Sequence, residues 1–308
     1  MAPTPSHVAR LLTGRATDAS YAAGWALVRA MPEGVATRLF DAGADLAARR
    51  GGKGIDRLRA NLARVAPDSD LDALTRDAVR SYARYWREVF RLPVTSQERI
   101  VSGMRTTGEE AVRATLASGR GAIFALPHSG NWDQAGAWFT ATGVPFTTVA
   151  ERLQPESLYD RFLAFRESLG MEVLPLTGGD RPPYDVLAER LTAGGAVCLL
   201  ADRDLTPRGV DVTFFGATAR MPAGPARLAL TTGAALVPVH LFFRPDGWQV
   251  DFLDEVPSSD VPTMTQAVAT AFEQRIAQHP ADWHMLQRLW LDDLADDDPR
   301  KARTEGSP

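Results

Sequence analysis

Three polar clusters each follow a short apolar run. Pro127-His128-Ser129-Gly130-Asn131-Trp132-Asp133 follows Ala122–Leu126, Glu151-Arg152 follows Val144–Val149, and Asp202-Arg203-Asp204 follows Val197–Ala201. His128 is the most informative of these residues, because imidazole is the side chain whose ordinary pKa suits proton abstraction near neutral pH. Four residues separate it from Asp133. With Ser129, Gly130 and Asn131 forming a turn and Asp133 opening a helix, the carboxylate is expected to fold back and accept from one ring nitrogen. That fixes the tautomer and leaves the other nitrogen as a base. The same helix start offers N–H groups to a developing oxyanion.

Other chemistries lack their residues. There is no G-x-S-x-G elbow, so Ser129 is a poor nucleophile, and no phosphate-binding or dinucleotide glycine motif. The single cysteine, Cys198, rules out an intramolecular disulfide and sits in an apolar run where an inert buried thiol is expected. The five histidines show no metal-ligand spacing. Asp202 and Asp204 with His128 are the one trio left to consider, and no metal is expected.

These clusters need a scaffold that brings strand ends together. From residue 120 onward the apolar runs 122–126, 144–149, 173–176, 196–201 and 234–243 alternate with helical patterns at 133–141, 156–169, 184–192 and 222–232. Residues 248–253 alternate like an edge strand, and 262–278 read as a further helix. The fold class is therefore α/β, with a mostly parallel central sheet flanked by helices on both faces. In such sheets ligands bind beyond the carboxyl ends of the strands, where the three clusters lie. Before the sheet comes an N-terminal helical extension. Its apolar stripes Val35–Leu39–Phe40–Leu46, Leu58–Leu62–Val65 and Leu71–Leu74–Val79–Tyr82–Trp86–Phe90 are expected to face a core. We expect one domain over 1–292, with 15–93 helical and 120–292 the α/β core, then a flexible acidic and polar tail at 293–308.

The chain has 308 residues, enough for a sizeable core, and a net charge of −4. That mean hides an asymmetry: residues 1–64 carry +5 and the remainder −9. A basic helical N-terminal part suits an anionic surface, such as a lipid leaflet, and no nucleic-acid partner is expected. The longest uncharged stretch, 134–150, is broken by proline, glycines and threonines, so no spanning helix is expected.

The His128-x4-Asp133 spacing, written HSGNWD, resembles the HX4D motif of glycerolipid-type acyltransferases. Further segments follow the order seen in the lipid A late-acyltransferase family: Ala201-Asp-Arg-Asp204, Phe214-Phe-Gly216, Met221-Pro-Ala-Gly-Pro-Ala-Arg-Leu-Ala229, Thr232-Gly-Ala-Ala-Leu-Val-Pro-Val239 and Asp282-Trp-His-Met285. Tyr21-Ala-Ala-Gly-Trp25 and Tyr82-Ala-Arg-Tyr-Trp-Arg-Glu88 look closest to its actinobacterial branch, the phosphatidylinositol mannoside acyltransferases. The resemblance covers about residues 15 to 292. It implies direct acyl transfer from a thioester to a sugar hydroxyl, with His128 as base, Asp133 as its orienting partner and no acyl-enzyme. It implies a second carboxylate near the histidine, Asp202 or Asp204. It places Glu151, Arg152, Arg166 and His284 against substrate.

Coenzyme A carries phosphates, which arginines bind bidentately, and Arg208 and Arg220 are candidates for them. Acyl-CoA would be a co-substrate, and no cofactor is expected. The implied partners are acyl-CoA, a phosphatidylinositol mannoside and an anionic membrane surface. The implied location is peripheral, at the cytoplasmic face of the cell membrane. Two alternatives stand beside this reading: a lipid A-type enzyme using acyl-carrier protein, and a non-catalytic lipid-binding protein on the same scaffold.

Overall fold

A computed structural model describes residues 24–151, 156–204, 209–295 and 298. The chain opens on a helix seen over residues 24–30 (α1), followed by α2 (Glu33–Arg50), α3 (Lys53–Val65) and α4 (Leu71–Arg91). Asp70 caps α4 by accepting from the N–H groups of Asp72 and Ala73, which would otherwise lack partners. Leu58, Leu62 and Val65 of α3 are buried as their spacing predicted, and with Ala44, Ala78 and Val79 most of them join the three helices.

The α2 stripe is a correction. Val35, Leu39 and Leu46 are 52%, 54% and 46% exposed, and the helix buries Ala36 and Ala44 instead. Helix α2 lies close along α4, and close approach of two helices is best served by the small side chains.

After a short helix α5 (Gln97–Ser102), strand β1 (Met104–Thr107) and helix α6 (Glu109–Ala117), the α/β core begins. It runs β2 (Ala122–Leu126), α7 (Trp132–Ala141), β3 (Phe146–Ala150), α8 (Glu156–Ser168), β4 (Glu172–Pro175), α9 (Pro183–Thr192) and β5 (Ala196–Leu200). A hairpin of β6 (Val210–Phe214) and β7 (Ala217–Met221) follows, then α10 (Gly224–Thr232), β8 (Ala235–Arg244), β9 (Gly247–Phe252) and α11 (Val261–Ile276). The seven-stranded sheet has the order β1-β9-β8-β2-β5-β3-β4 and is parallel except for the β8–β9 pair.

β9 is not an edge strand. β1, which the sequence pattern did not reveal, pairs outside it, and every β9 residue is buried. Four residues of unremarkable composition carry no period on which to recognise such a strand.

β2 lies at the centre and is buried throughout, so its side chains serve both layers. Ile123 and Ala125 face a core with α9, α10 and α11, while Phe124 and Leu126 face one with α4, α7 and α8. Helix α4 thus shares a hydrophobic cluster with the sheet. Trp25 ties α1 to the same cluster, its indole donating to the Phe90 carbonyl and its ring resting on Phe162 and Phe165. Among the described residues no helix is long and apolar enough to cross a membrane.

His240, in β8, is fully buried and neither ring nitrogen has a hydrogen-bond partner. Burial first, then the positive potential of His279 and Arg275, holds its pKa down to about 3. An unfolded histidine titrates near ~6.5. The native state therefore resists protonation, and its stability falls as pH drops below that value. His240→Phe is expected to melt less steeply with acid between pH ~6.5 and ~4 than the parent, by calorimetry at fixed salt. Equal slopes would show that other groups govern acid sensitivity.

Candidate active site

Strand register builds the centre. Leu126 of β2 lies beside Leu200 of β5, and the Ala201 N–H donates to the Leu126 carbonyl. His128 and Asp202, each two residues beyond that rung, therefore meet. Asp202 Oδ1 is 2.5 Å from His128 Nδ1, and Oδ2 accepts from the His128 backbone N–H at 2.9 Å and from the Trp283 indole at 3.0 Å. Asp202 is fully buried. Burial pushes its carboxyl up, but the imidazole, the His128 N–H and the Trp283 N–H outweigh this and hold it below the ordinary carboxylate range. An ionised Asp202 can only accept, so Nδ1 carries the proton and Nε2 keeps its lone pair.

Asp133 does not orient the imidazole. It sits in the first turn of α7 and accepts from Arg166 of α8, at 2.7 and 3.2 Å, and from the Tyr85 hydroxyl of α4 at 2.9 Å. The motif spacing brings the carboxylate to the start of the helix, but three elements converge there and direct it away from His128. Burial, reinforced by Asp133, raises the Tyr85 phenol well above its usual value, so it donates as a neutral hydroxyl. For Arg166 burial favours loss of the proton, but the Asp133 charge more than offsets it.

The turn residues hold the backbone. Ser129 N–H donates to the Pro127 carbonyl, and Gly130 N–H donates to the Asp282 carbonyl. Asn131 caps α7 by accepting from Gln134 N–H, and its amide donates to Glu88. Gly130 has φ +57, and a Cβ there would stand 2.8 Å from the Leu241 carbonyl carbon. Of the residues placed at the turn or an oxyanion, Ser129 and Gly130 thus have their amides paired, while the N–H groups that open α7 remain the helix-start donors.

Two cavities have His128 on their wall and a third adjoins one of them. An apolar one of about 730 Å³ runs between α7 and the sheet, lined among others by Phe124, Phe139, Phe146, Met171 and Cys198. Burial pushes the Cys198 thiol up, consistent with an inert group. An aromatic cavity of about 1140 Å³ has His128 on its wall with Tyr82, Tyr85, Trp86, Trp132 and His284. A wider cavity of about 1710 Å³ reaches His128 from the other side, past Tyr184, Leu228 and Arg227. Trp132, Val149, Arg166 and Leu200 are common to the apolar and aromatic cavities, so the two are contiguous.

The structure gathers several further residues expected at the site. Exposed Glu151 lines both the aromatic and the wide cavity, Arg166 lines the apolar and aromatic ones, and buried Asp204 lines the wide one. His284 is buried and neutral, its pKa lowered to about 3 by burial and then by His128. Ser81 Oγ donates to Asp282 and so accepts from His284 Nε2 at 2.9 Å. His284 Nδ1 is left as an acceptor with no protein partner. Arg220 is misplaced by the sequence reading: it lies in the β6–β7 hairpin, paired with Asp211, and lines none of these cavities. Arg152 and Arg208 lie outside the described residues. Among the described residues no group of three or more metal-ligating side chains converges.

Tyr85, Glu88 and Trp283, which the sequence reading did not single out as site residues, hold Asp133, Asn131 and Asp202 respectively. All three lie in segments whose resemblance was noted as text, yet only tertiary contacts reveal what they hold.

A buried carboxylate–imidazole pair at a strand end, near an apolar slot, is compatible with acyl transfer. The chain belongs to the bacterial lipid A biosynthesis acyltransferase family, which it matches over residues 5–292. More particularly, it is similar to the phosphatidylinositol mannoside acyltransferase of Mycolicibacterium smegmatis, 56% identical over 297 residues, or 95% of this chain and 96% of that one. The proteins of the same name from two strains of Mycobacterium tuberculosis are 53% identical over 292 residues, 92% of each chain.

Proposed function

We propose that the protein transfers a long-chain fatty acyl group from acyl-CoA to a mannose hydroxyl of a phosphatidylinositol mannoside. The observation that carries this reading is the His128 imidazole, fixed through Nδ1 by Asp202, on the wall shared by the aromatic and wide cavities, the first of which adjoins the apolar one. The relatives' name supports the acceptor. The apolar cavity suits the acyl chain. The aromatic rings suit the apolar face of a sugar, with Glu151 and His284 Nδ1 as acceptors for its hydroxyls. The wide cavity suits the rest of the donor.

His128 Nε2 takes the hydroxyl proton as the alkoxide oxygen attacks the thioester carbonyl carbon. The tetrahedral intermediate collapses, the C–S bond breaks, and the thiolate recovers the proton from His128. Asp202 stabilises the imidazolium while it exists.

The test is the folded protein with palmitoyl-CoA and a mannosylated phosphatidylinositol, product read by mass spectrometry. Palmitoyl acyl-carrier protein and a lipid A precursor run in parallel. An ester with the first pair is expected. Product only with the second pair would move the protein to the lipid A chemistry, and acyl-CoA binding without product from any pair would make it a lipid-binding protein.

Exposed Leu27, Val35, Leu39 and Leu46 stand on α1 and α2 among exposed Arg29, Arg38, Arg49 and Arg50. This combination supports peripheral attachment to an anionic leaflet, which we take to be the cytoplasmic one. Each basic side chain at such a surface contributes about 1 kcal/mol. Arg38→Glu with Arg49→Glu is expected to weaken binding to anionic liposomes at least ~10-fold with unchanged melting. Unchanged sedimentation with the vesicles would remove these helices as the contact.

A further inference from the structure

The aromatic and wide cavities share five wall residues: His128, Val149, Glu151, Leu200 and Arg203. Arg203 is the one cation among them. Its side chain follows Asp202 at the end of β5 and is half-buried. One terminal N–H donates to the Gln287 side-chain oxygen, a neutral acceptor, and Gln287 is itself tied to Asn61 through its carbonyl. The buried Nε has no hydrogen-bond partner, and among the described residues the ion pairs of this region involve His128, Arg166 and Arg220 rather than Arg203. Among the described residues its charge thus has no ion-pair partner, on the wall where donor and acceptor would meet. Of the other described arginines on these walls, Arg166 is paired with Asp133, and Arg227 lines only the wide cavity.

Acyl transfer needs a donor for the carbonyl oxygen. That oxygen gains a full charge as the nucleophile adds, and stabilising it where water is excluded is commonly the largest single contribution to catalysis. The N–H groups of His128, Ser129 and Gly130 are held by Asp202, Pro127 and Asp282. We infer that Arg203 is the electrophilic catalytic residue, its guanidinium donating to the thioester oxygen as it becomes an oxyanion. The inference rests on the acyl-transfer reading proposed above. The electron pair of the carbonyl π bond moves onto oxygen when the alkoxide bonds to carbon. It returns when the C–S bond breaks, so Arg203 donates hydrogen bonds throughout and neither loses nor gains a proton. A guanidinium suits this because it stays charged and presents several donors in one plane. Its place on a shared wall favours the reacting carbon over the far end of either substrate.

The test is steady-state kinetics of Arg203→Gln and Arg203→Lys beside the parent, with binding of a non-cleavable thioether analogue of acyl-CoA by calorimetry. Removal of an oxyanion donor lowers kcat about 10²- to 10³-fold. That loss is expected for Arg203→Gln, with KM for both substrates and thioether affinity within threefold of the parent. Acceptor-independent hydrolysis of acyl-CoA should fall in parallel. Arg203→Lys, which keeps the charge but moves the donors, should fall at least ~10-fold and serves should the glutamine variant unfold. A kcat within threefold of the parent in Arg203→Lys and in any folded Arg203→Gln would overturn the inference and leave the α7 N-terminal amides as donors. A loss confined to KM for one substrate would also overturn it, making Arg203 a headgroup contact. A parent enzyme with no transfer at all would instead sink the underlying reaction.

Discussion

Asp202→Asn is expected to lower kcat by about 10²- to 10⁴-fold without unfolding the protein, the scale on which a positioned general base contributes. The direction follows from three hydrogen bonds. Oδ2 accepts from two N–H groups, those of His128 and Trp283, so the asparagine oxygen must stay on that side. The asparagine NH2 then faces His128 Nδ1 as a donor, Nδ1 becomes the acceptor, and the proton moves to Nε2. The lone pair that takes the hydroxyl proton is lost although every heavy atom is in place. His128→Ala should lose at least as much. Transfer by Asp202→Asn at a tenth of the parent rate or better would remove the carboxylate from this role. One-dimensional NMR of the downfield imidazole proton would report the tautomer directly.

The second large effect is on stability. Asp133 is 1% exposed at its side chain and Arg166 19%, and they are joined by two hydrogen bonds at 2.7 and 3.2 Å. Removing one partner of a buried pair leaves an uncompensated charge and costs about 3–5 kcal/mol. Arg166→Met should therefore lose about that much in urea unfolding. The Tyr85 hydroxyl cannot replace a guanidinium. Adding Asp133→Leu to Arg166→Met should recover much of the loss, because two apolar groups leave no buried charge. A single variant as stable as the parent would show that water reaches Asp133. In this fold, then, the second motif residue joins α4, α7 and α8 through its hydrogen bonds to Tyr85 and Arg166.

The sequence alone determined the alternation that makes an α/β sheet. β2, β5 and β8 are apolar runs bounded by turns, and a run buried on both faces carries that signal strongly. It also determined that His128, Glu151 and Asp202 stand at strand ends, because each follows such a run within a few residues. The turn 128–131 was legible for the same local reason. Partner choice was not. Asp133 is nearest to His128 along the chain, but Asp202 is nearest across the sheet, and that follows from the register of β2 on β5, fixed by hydrogen bonds between residues some seventy positions apart.

The same limit explains the other differences. Val35, Leu39 and Leu46 have a period, and a period reveals a face without saying whether protein or lipid covers it. Arg220 and Arg203 look alike as text. Asp211 across a hairpin pairs with the first, while among the described residues the second meets the neutral Gln287. Local composition decides what each segment can become, because propensity and burial pattern act over a few residues. Which charge meets which counter-charge is decided by contacts between distant segments, and the catalytic assignment belongs to that second kind of fact.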